Sequence, residues 1–289
     1  MRPVARTALL AAAALAAAAA PAGTRFTQTA ELAIPEAVQG VAVDADHVYA
    51  VDDRTIGKYT KDGKRVARWE APAGGGFIHL DSAVVVGDRL YCAHSNYRSL
   101  PMTSSVEVFD AETLAHVDTH SFGIRLGSLT WIDRHDGHFF GVFANYDRAG
   151  RRPDGTDAGV PYGGGHNTTL VRFGADWQVQ ASWIFPPALL ERFGDMSNSG
   201  GSWGPDGSLY LTGHDLPEIY RVQLPEAGSV LELEEIIPLG IRGQGIAWDR
   251  SQPGMLYGVI RATRAELDAG GSHRVVVFRA DVRSPDGAR

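Results

Sequence analysis

Most of the chain alternates short apolar runs with turns rich in Gly, Asp and Pro, which is the pattern of antiparallel strands rather than of long helices. Five segments of this pattern can be superposed, and they begin at Gln39, Asp81, Gly127, Ser199 and Gln244. Their starts are 42 to 46 residues apart, except for a third unit of 72 residues. The sequence therefore contains five copies of one strand-rich unit.

About four strands fit in each unit, which is typical of the blades of a β-propeller. The second position of every innermost segment is Gly or Ser, as expected where strands converge on a narrow axis. The last unit ends after three strands, and the strand-like run over residues 26–34 can supply the fourth. We predict an all-β fold, a five-bladed β-propeller of four-stranded antiparallel blades, with the last blade closed by the N-terminal strand. A β-sandwich or an open meander is the alternative.

The N-terminus has the pattern of an export signal. Arg2 and Arg6 precede an apolar run over residues 8–20, and the small residues of Ala20-Pro21-Ala22 follow it. This run is shorter than the roughly 20 apolar residues that a membrane-spanning helix needs. We predict a Sec-type signal peptide over residues 1–22, a single propeller domain over residues 23–289, and a periplasmic or secreted protein without stable membrane insertion. A retained anchor is the alternative.

Composition narrows the classes of function. The 289 residues include 34 acidic residues against 27 Lys and Arg, and the net charge of −7 argues against a nucleic-acid partner. A single Cys excludes an internal disulfide and any Cys-based zinc or redox site. The sequence has no nucleophile elbow, P-loop or H-E-x-x-H motif. We expect a monomer that acts on a small molecule.

The order of strands in a blade predicts which residues share a face of the disc. In an antiparallel blade, the start of the innermost strand and the end of the second strand lie at the same end. Four histidines fall on this face, at strand ends or in its long connections: His79, His94, His166 and His214. Long loops on a rigid scaffold are where binding sites are usually built. We therefore predict that these four imidazoles line one central pocket.

Three roles remain open for the four histidines. As catalytic acids and bases they would use an unperturbed pKa near 6.5. As ligands they would hold a divalent metal, with Asp81 or Asp215 orienting the rings. As structural residues they would only bond to strand-end carbonyls. A divalent metal is the one cofactor that the sequence leaves open.

Further polar side chains share this face. Arg98, Arg125 and Arg242 favour an anionic, carboxylate-bearing substrate, because guanidinium matches carboxylate in a forked geometry. Pairing with nearby Asp residues is the alternative. Four amide side chains at strand ends are further candidates for substrate binding: Gln39, Asn96, Asn198 and Gln244. Other charged residues fall at second-strand ends of the same face: Asp52, Asp53, Asp215 and Arg261.

Several strings spread over the chain resemble a known family. They are Ala93-His-Ser-Asn-Tyr97, Trp131-Ile-Asp-Arg-His-Asp-Gly137, His166-Asn-Thr-Thr-Leu170, Asn198-Ser-Gly-Gly-Ser-Trp-Gly-Pro-Asp-Gly207, Thr212-Gly-His-Asp215 and Gly243-Gln-Gly-Ile-Ala-Trp-Asp249. They resemble a family of bacterial exported β-propeller proteins that are labelled cycloisomerases. The label is similar to that of propeller-type muconate lactonising enzymes, which interconvert an unsaturated dicarboxylate and its lactone. Those enzymes resemble seven-bladed rings, whereas five units are counted here, so no catalytic residue is carried over from them.

The sequence thus predicts an exported propeller enzyme with cycloisomerase-like or lyase-like proton-transfer chemistry on a small anionic substrate. One alternative is a glycan-directed hydrolase of the five-bladed type, which would use two carboxylates from among Asp52, Asp81 and Asp215. Another is a non-catalytic ligand-binding propeller, since the fold serves both uses. The loop residues differ from blade to blade, which favours one central site over five equivalent ones.

Overall fold

A computed structural model describes residues 23–282, and these residues form five antiparallel sheets of four strands each. The first strand, β1 (Phe26–Ala33), belongs to the sheet that also contains the last strands of the chain. The other four sheets are built from consecutive blade strands. The prediction of an all-β, five-bladed β-propeller is therefore confirmed, whereas the predicted signal peptide lies outside the described residues.

Blades one and two are simple meanders that run from the axis to the rim. Blade one consists of β2 (Gly40–Val43), β3 (His47–Asp52), β4 (Thr55–Thr60) and β5 (Arg65–Glu70). Blade two consists of β6 (His79–Val86), β7 (Arg89–Ser95), β8 (Ser104–Asp110) and β9 (His116–Gly123). In both blades the innermost strand is buried and the outermost strand is largely exposed.

Blades three and four carry the longest connections. Blade three begins with β10 (Ser128–His135) and β11 (His138–Ala144), which are followed by a hairpin of β12 (Ala149–Arg151) and β13 (Asp157–Pro161). A 3-10 helix (Gly165–Asn167) leads into β14 (Thr169–Phe173) and β15 (Val179–Ile184), which complete the blade. Blade four consists of β16 (Gly200–Trp203), β17 (Leu209–Thr212), β18 (Glu218–Gln223) and β19 (Glu232–Pro238). The 72-residue third unit thus contains an inserted hairpin and not a sixth blade.

Two short α-helices lie in loops between strands. Helix α1 (Pro187–Phe193) begins with Pro and ends at Gly194, whose φ of +63° is readily adopted by glycine. Helix α2 (Arg264–Asp268) is capped by Thr263, which accepts a hydrogen bond from the Glu266 backbone N–H. Within residues 23–282 neither these nor any other helix has the length and apolar character needed to cross a membrane.

Blade five closes the ring with both ends of the chain. It consists of β20 (Ile246–Trp248), β21 (Met255–Ile260), β22 (Arg274–Ala280) and, at the rim, β1. Strand β1 pairs antiparallel with β22 from one end to the other, with Phe26 opposite Ala280 and Ala33 opposite Arg274. The predicted closure by the N-terminal strand is therefore confirmed.

The core is divided into five layers, one between each pair of neighbouring blades. Side chains alternate along each strand, so every sheet packs on both neighbours. In β3, for example, Val48 and Ala50 pack against blade five, whereas Tyr49 and Val51 pack against blade two. No blade has a core of its own, and the five blades must stabilise one another.

Small residues at the axis let the inner strands approach closely. A Cβ atom on Gly40 would lie 2.5 Å from the Cα of Ser82, and one on Gly245 would lie 2.7 Å from the Cα of Gly40. Towards the face that carries the tight turns, the cavity between the inner strands measures only about 10 Å³. The axis is therefore nearly filled at the end that carries the tight turns.

We predict that Gly40→Ala destabilises the protein by about 1–3 kcal/mol, because overpacking against fixed backbone displaces an inner strand. Gly76→Ala is the matched control, since a Cβ there meets nothing within 4 Å, and its effect should stay within about 0.5 kcal/mol. Denaturant unfolding of both variants measures the difference. Equal stability of the two variants would contradict the close approach of the inner strands.

Candidate active site

The loops of the long-connection face have a small core of their own. Its buried residues are Ala144, Tyr146, Tyr162 and Met196, and Tyr97, Leu100 and Met102 pack against them. The rings of Tyr97 and Tyr146 are 5.0 Å apart between centroids, and those of Tyr97 and Tyr162 are 5.6 Å apart. This aromatic cluster holds Tyr97 beside the axis, where its ring centroid lies 5.2 Å from that of His79.

His79 lies between two carboxylates at the centre of this face. Its Nδ1 is 2.7 Å from Asp53 Oδ1, and its Nε2 is 3.7 Å from Asp81 Oδ2. The amide of Gln39 donates a second hydrogen bond to Asp53 Oδ1, at 2.8 Å. Only 13% of the His79 side chain is exposed. Blade one thus supplies the carboxylate that orients an imidazole from blade two.

Burial and charge act in opposite directions on this group. Burial lowers the pKa of His79, but the hydrogen bond to Asp53 and the charges of Asp81, Asp53 and Asp52 raise it, and the net shift is upward. Burial raises the pKa of Asp53. The hydrogen bond and charge of His79 and the hydrogen bond from Gln39 lower this pKa, and the net shift is downward. Both shifts favour the ion pair of an imidazolium with the Asp53 carboxylate.

Asp81 is the most deeply buried acid of the site. The residue is 4% exposed, and burial is the main reason why its pKa is raised to about 8. The charge of Asp53 raises this pKa further, while His79, a backbone hydrogen bond from Ser82 and Arg261 lower it. Burial thus favours the protonated, neutral form of the Asp81 carboxyl group.

Blades four and five contribute a second imidazole and a guanidinium. Nη2 of Arg261 lies 3.3 Å from His214 Nε2, and His214 Nδ1 lies 2.8 Å from Asp215 Oδ2. Burial lowers the pKa of His214, and the charge of Arg261 lowers it further although Asp215 raises it. Burial also lowers the pKa of Arg261, against the charges of Asp215, Asp81 and Asp53. Arg261 thus links the His214 pair to the His79 group.

Two further guanidinium groups approach the aromatic cluster. Burial raises the pKa of Tyr97, and the charges of Arg148 and Arg98 oppose that shift. The Nε atoms of Arg98 and Arg148 are buried and have no hydrogen-bond partner within the described part of the chain. Positive charge beside a half-buried phenol and imidazole is suited to an anionic ligand.

The other predicted histidines are placed differently. Both ring nitrogens of His94 are used within its own blade, where Nδ1 is 2.9 Å from Ser105 Oγ and Nε2 accepts a hydrogen bond of 3.0 Å from the Ile78 backbone N–H. Burial lowers the pKa of His94. His166 is exposed in the 3-10 helix. Of the four imidazoles, His79 and His214 are therefore the two that contact charged groups of the central site.

Most of the predicted substrate-binding residues support the loops instead. Arg125 is exposed, and Arg242 lies 3.3 Å from Glu266. The side chain of Asn96 joins the two ends of its loop, donating to Pro101 O and accepting from the Thr103 N–H. Asn198 accepts from the indole of Trp131, and Gln244 donates to the backbone oxygen of His214. Gln39 contacts the site indirectly, through its hydrogen bond to Asp53. Arg98 acts on the site through the effect of its charge on Tyr97.

The geometry also bears on the metal and hydrolase alternatives. Across residues 23–282 no three His, Cys, Asp or Glu side chains are grouped as metal ligands, so a metal at His79, His94, His166 and His214 has no support. Glycosidases need two carboxylates that face each other across the scissile bond. Here the His79 ring occupies the space between Asp53 and Asp81, and Asp215 lies against His214. The arrangement favours imidazole chemistry over a pair of carboxylates.

Sequence reasoning missed Tyr97 and Arg148 and did not place Asp81 in the catalytic set. Tyr97 and Arg148 lie in irregular loops, where no sequence periodicity indicates which way a side chain points. Asp81 did leave a signal: among the five superposed segment starts it is the one charged residue, and the others are Gln, Gly or Ser. A lone charge at a repeated axial position is a mark of a functional site.

Comparisons with known proteins give distant structural similarities. No protein-family model matches the chain. No curated protein matches it either. A luciferin-regenerating enzyme has 14% identity and a TM-score of 0.49, over 89% of this chain and 95% of that one. The PQQ-bound aldose sugar dehydrogenase of Streptomyces coelicolor has 12% identity and a TM-score of 0.48, over 90% and 99%. A streptogramin B lyase has 12% identity and a TM-score of 0.44, over 81% and 80%.

These similarities show no family for the chain, and the resemblance to proteins labelled cycloisomerases stays a prediction. The three structures share at most 14% identity with it, and their TM-scores lie below 0.5. The propeller assignment rests on the strand order of the chain itself.

We predict that Asp81→Asn becomes more stable relative to the wild type as the pH rises. The pKa of Asp81 is 3.8 when exposed and about 8 in the fold, so in this range the folded state holds a proton that the unfolded state has lost. Wild-type stability then falls with rising pH by at most about 1.4 kcal/mol per unit, and the Asn variant lacks this loss. Denaturant unfolding between pH 5 and 9 measures it, with Asp88→Asn, an exposed acid in a turn of the other face, as the control. A stability difference that does not change with pH would show that Asp81 is charged in the fold.

Proposed function

We propose that the protein is an exported propeller enzyme that transfers protons on a small carboxylate-bearing substrate, in an isomerisation or an elimination. The observation that carries the proposal is the contact of Asp53 with His79 Nδ1 at 2.7 Å, beneath the loops of one face. A carboxylate at Nδ1 fixes the imidazole tautomer and directs Nε2 to the reacting atoms. Export rests on the N-terminal sequence.

His79 is the acid and base of this proposal, and Asp53 is a positioning residue. Imidazole changes its charge near neutral pH, so a single ring can remove a proton from one carbon and return it to another. His79 is largely shielded from water, which strengthens its interaction with charged neighbours. These steps use side chains of the chain alone.

The guanidinium groups account for the substrate class. The charge of Arg261 acts on the carboxylates of the His79 group, and the charges of Arg148 and Arg98 act on Tyr97. Guanidinium binds carboxylate through paired N–H donors. The buried Nε of Arg98 has no hydrogen-bond partner among the described residues, whereas Arg148 Nε lies 3.8 Å from Asp195 Oδ2. The proposal requires that a carboxylate bound by these groups place its neighbouring carbon near the His79 imidazole.

The test is proton exchange with solvent, which needs no knowledge of the product. Wild-type protein is incubated in D2O with a panel of unsaturated carboxylic acids and lactones, and NMR follows deuterium incorporation and lactone opening. We expect His79→Gln to slow the accepted substrate by about a hundredfold to ten-thousandfold. His138→Gln, on the opposite face, should leave the rate unchanged and serves as the matched control. Equal rates for the two variants would refute the role of His79.

Asp53→Asn provides a separate test of positioning. Removing the charge of Asp53 lowers the pKa of His79, because this carboxylate is one of the groups that raise it. We therefore expect a slower enzyme whose acidic limb in the pH–rate profile moves to lower pH. A rate loss with an unmoved limb would contradict the proposed pairing. Binding of a panel member without exchange or turnover would favour the non-catalytic propeller instead.

A further inference from the structure

Asp81 occupies an irregular position in an otherwise regular strand. The register of β6 against β7 shifts between Leu80 and Ala83, so Asp81 and Ser82 form a bulge at the loop-bearing end of the strand. Bulges increase local twist and re-aim side chains, and they are common beside active sites. The bulge presents Asp81 to the axis within 3.7 Å of His79 Nε2.

One oxygen of the buried Asp81 carboxyl group makes no hydrogen bond within the described residues. Oδ2 lies near His79, but Oδ1 is shielded from solvent and has no hydrogen-bond partner among residues 23–282. Buried polar atoms are nearly always paired, and a catalytic role is one of the reasons for which a folded protein keeps one unpaired. The surrounding scaffold does not require a carboxyl group here, since the other four segment starts carry Gln, Gly or Ser.

The charges that face Asp81 come from four blades. Asp53 belongs to blade one, His79 to blade two, Tyr146 to the loop of blade three, and Arg261 to blade five. Asp52, also of blade one, acts on His79. The charge of Asp53 disfavours a second negative charge on Asp81, whereas Arg261 and a charged His79 favour it. Burial is the largest influence and favours the neutral carboxyl group.

We infer that Asp81 is a second catalytic residue, whose Oδ1–H donates a hydrogen bond to the substrate oxygen that gains negative charge as His79 removes a proton from the adjacent carbon. This inference rests on the proposed function and assigns the substrate a carbonyl or carboxyl oxygen one bond from that carbon. The substrate class is thus a carbonyl compound or carboxylic acid with an acidic α-hydrogen.

The step balances without any further reagent. In molecules whose imidazole is neutral, His79 Nε2 takes the proton from the α-carbon and becomes imidazolium, the form that Asp53 stabilises, and the C–H electron pair becomes the carbon–carbon double bond of an enolate. The carbonyl π electrons move to oxygen, where Asp81 donates its hydrogen bond without giving up the proton. Imidazolium then returns the proton to another carbon, or a leaving group departs with the electron pair. A neutral acid is the better donor here, because it brings no negative charge against the forming oxyanion.

The first experiment reads the proton itself and needs no substrate. Infrared difference spectra between wild type and Asp81→Asn should show the C=O stretch of a protonated carboxyl group at pH 7, which disappears in the wild type above a pH of about 8. Asp88→Asn should leave this band in place. A difference spectrum with only carboxylate bands at pH 7 would overturn the inference.

The second experiment separates Asp81 from His79. With an accepted substrate, Asp81→Ala should be slower by about a hundredfold to a thousandfold, as for loss of an oxyanion donor. Asp81→Asn keeps an N–H donor, so we expect its rate to stay within about tenfold of wild type and to lose the decline above pH 8. Thermal unfolding of each variant confirms that it is folded.

The two proposals fail in different ways. If His79→Gln is inactive while folded Asp81→Ala matches wild type at every pH, the role of Asp81 is wrong and the proposed function stands. If His79→Gln matches wild type, the proposed function fails and the role of Asp81 fails with it. Should Asp81→Ala not fold, the pH–rate profile of Asp81→Asn decides, because an unchanged decline above pH 8 would refute the role of Asp81.

Discussion

Packing between blades is the interaction on which the whole molecule depends. Each sheet buries both of its inner faces against its neighbours, and the five apolar layers alternate around the ring with no blade left as an independent unit. Closed rings also remove exposed sheet edges, so the scaffold is rigid and continuous. This rigidity lets residues far apart in sequence form one site: Asp53 of blade one contacts His79 of blade two at 2.7 Å, and Arg261 of blade five lies near enough for the charge of Asp53 to act on its pKa.

The site carries features that the scaffold alone would not select. A carboxyl group with a buried and unpaired oxygen, a guanidinium whose pKa is lowered by burial, and two imidazoles each placed against a carboxylate lie together at one end of the axis. The opposite end of the axis is nearly filled, and its buried charge is satisfied: Asp133 accepts hydrogen bonds from Ser202, the Trp203 N–H and Arg250. The buried carboxylate at the tight-turn end is thus fully hydrogen-bonded, whereas the buried carboxyl group of Asp81 at the other end keeps an oxygen without a partner among the described residues.

Repeat spacing and turn chemistry were sufficient to derive the blades and the closure by β1, because each depends on local sequence. The side of the disc followed from strand order alone. Strand order does not show whether a side chain is free to bind a ligand. His94 ends a second strand as predicted, yet its two ring nitrogens are hydrogen-bonded to Ser105 and to the Ile78 backbone N–H. Tyr97 and Arg148 depend on contacts between loops of different blades, which no local pattern encodes. The sequence shows Asp81 as the one charged residue at a repeated position, but that its Oδ1 is buried and unpaired can be known only from the structure.

The shared last blade has a consequence for how the protein is made. Strand β1 leaves the ribosome first, yet its partner β22 is among the last segments synthesised, and the Thr29 hydroxyl donates to Val277 O across 248 residues of sequence. Until the C-terminal strands arrive, the N-terminal strand has no neighbour and the apolar layer of blade one that faces blade five is uncovered. Blade five can therefore be completed only after the C-terminal strands have been synthesised. The same strands complete the apolar layer between blades five and one, so a chain that stops before β21 would leave the ring open.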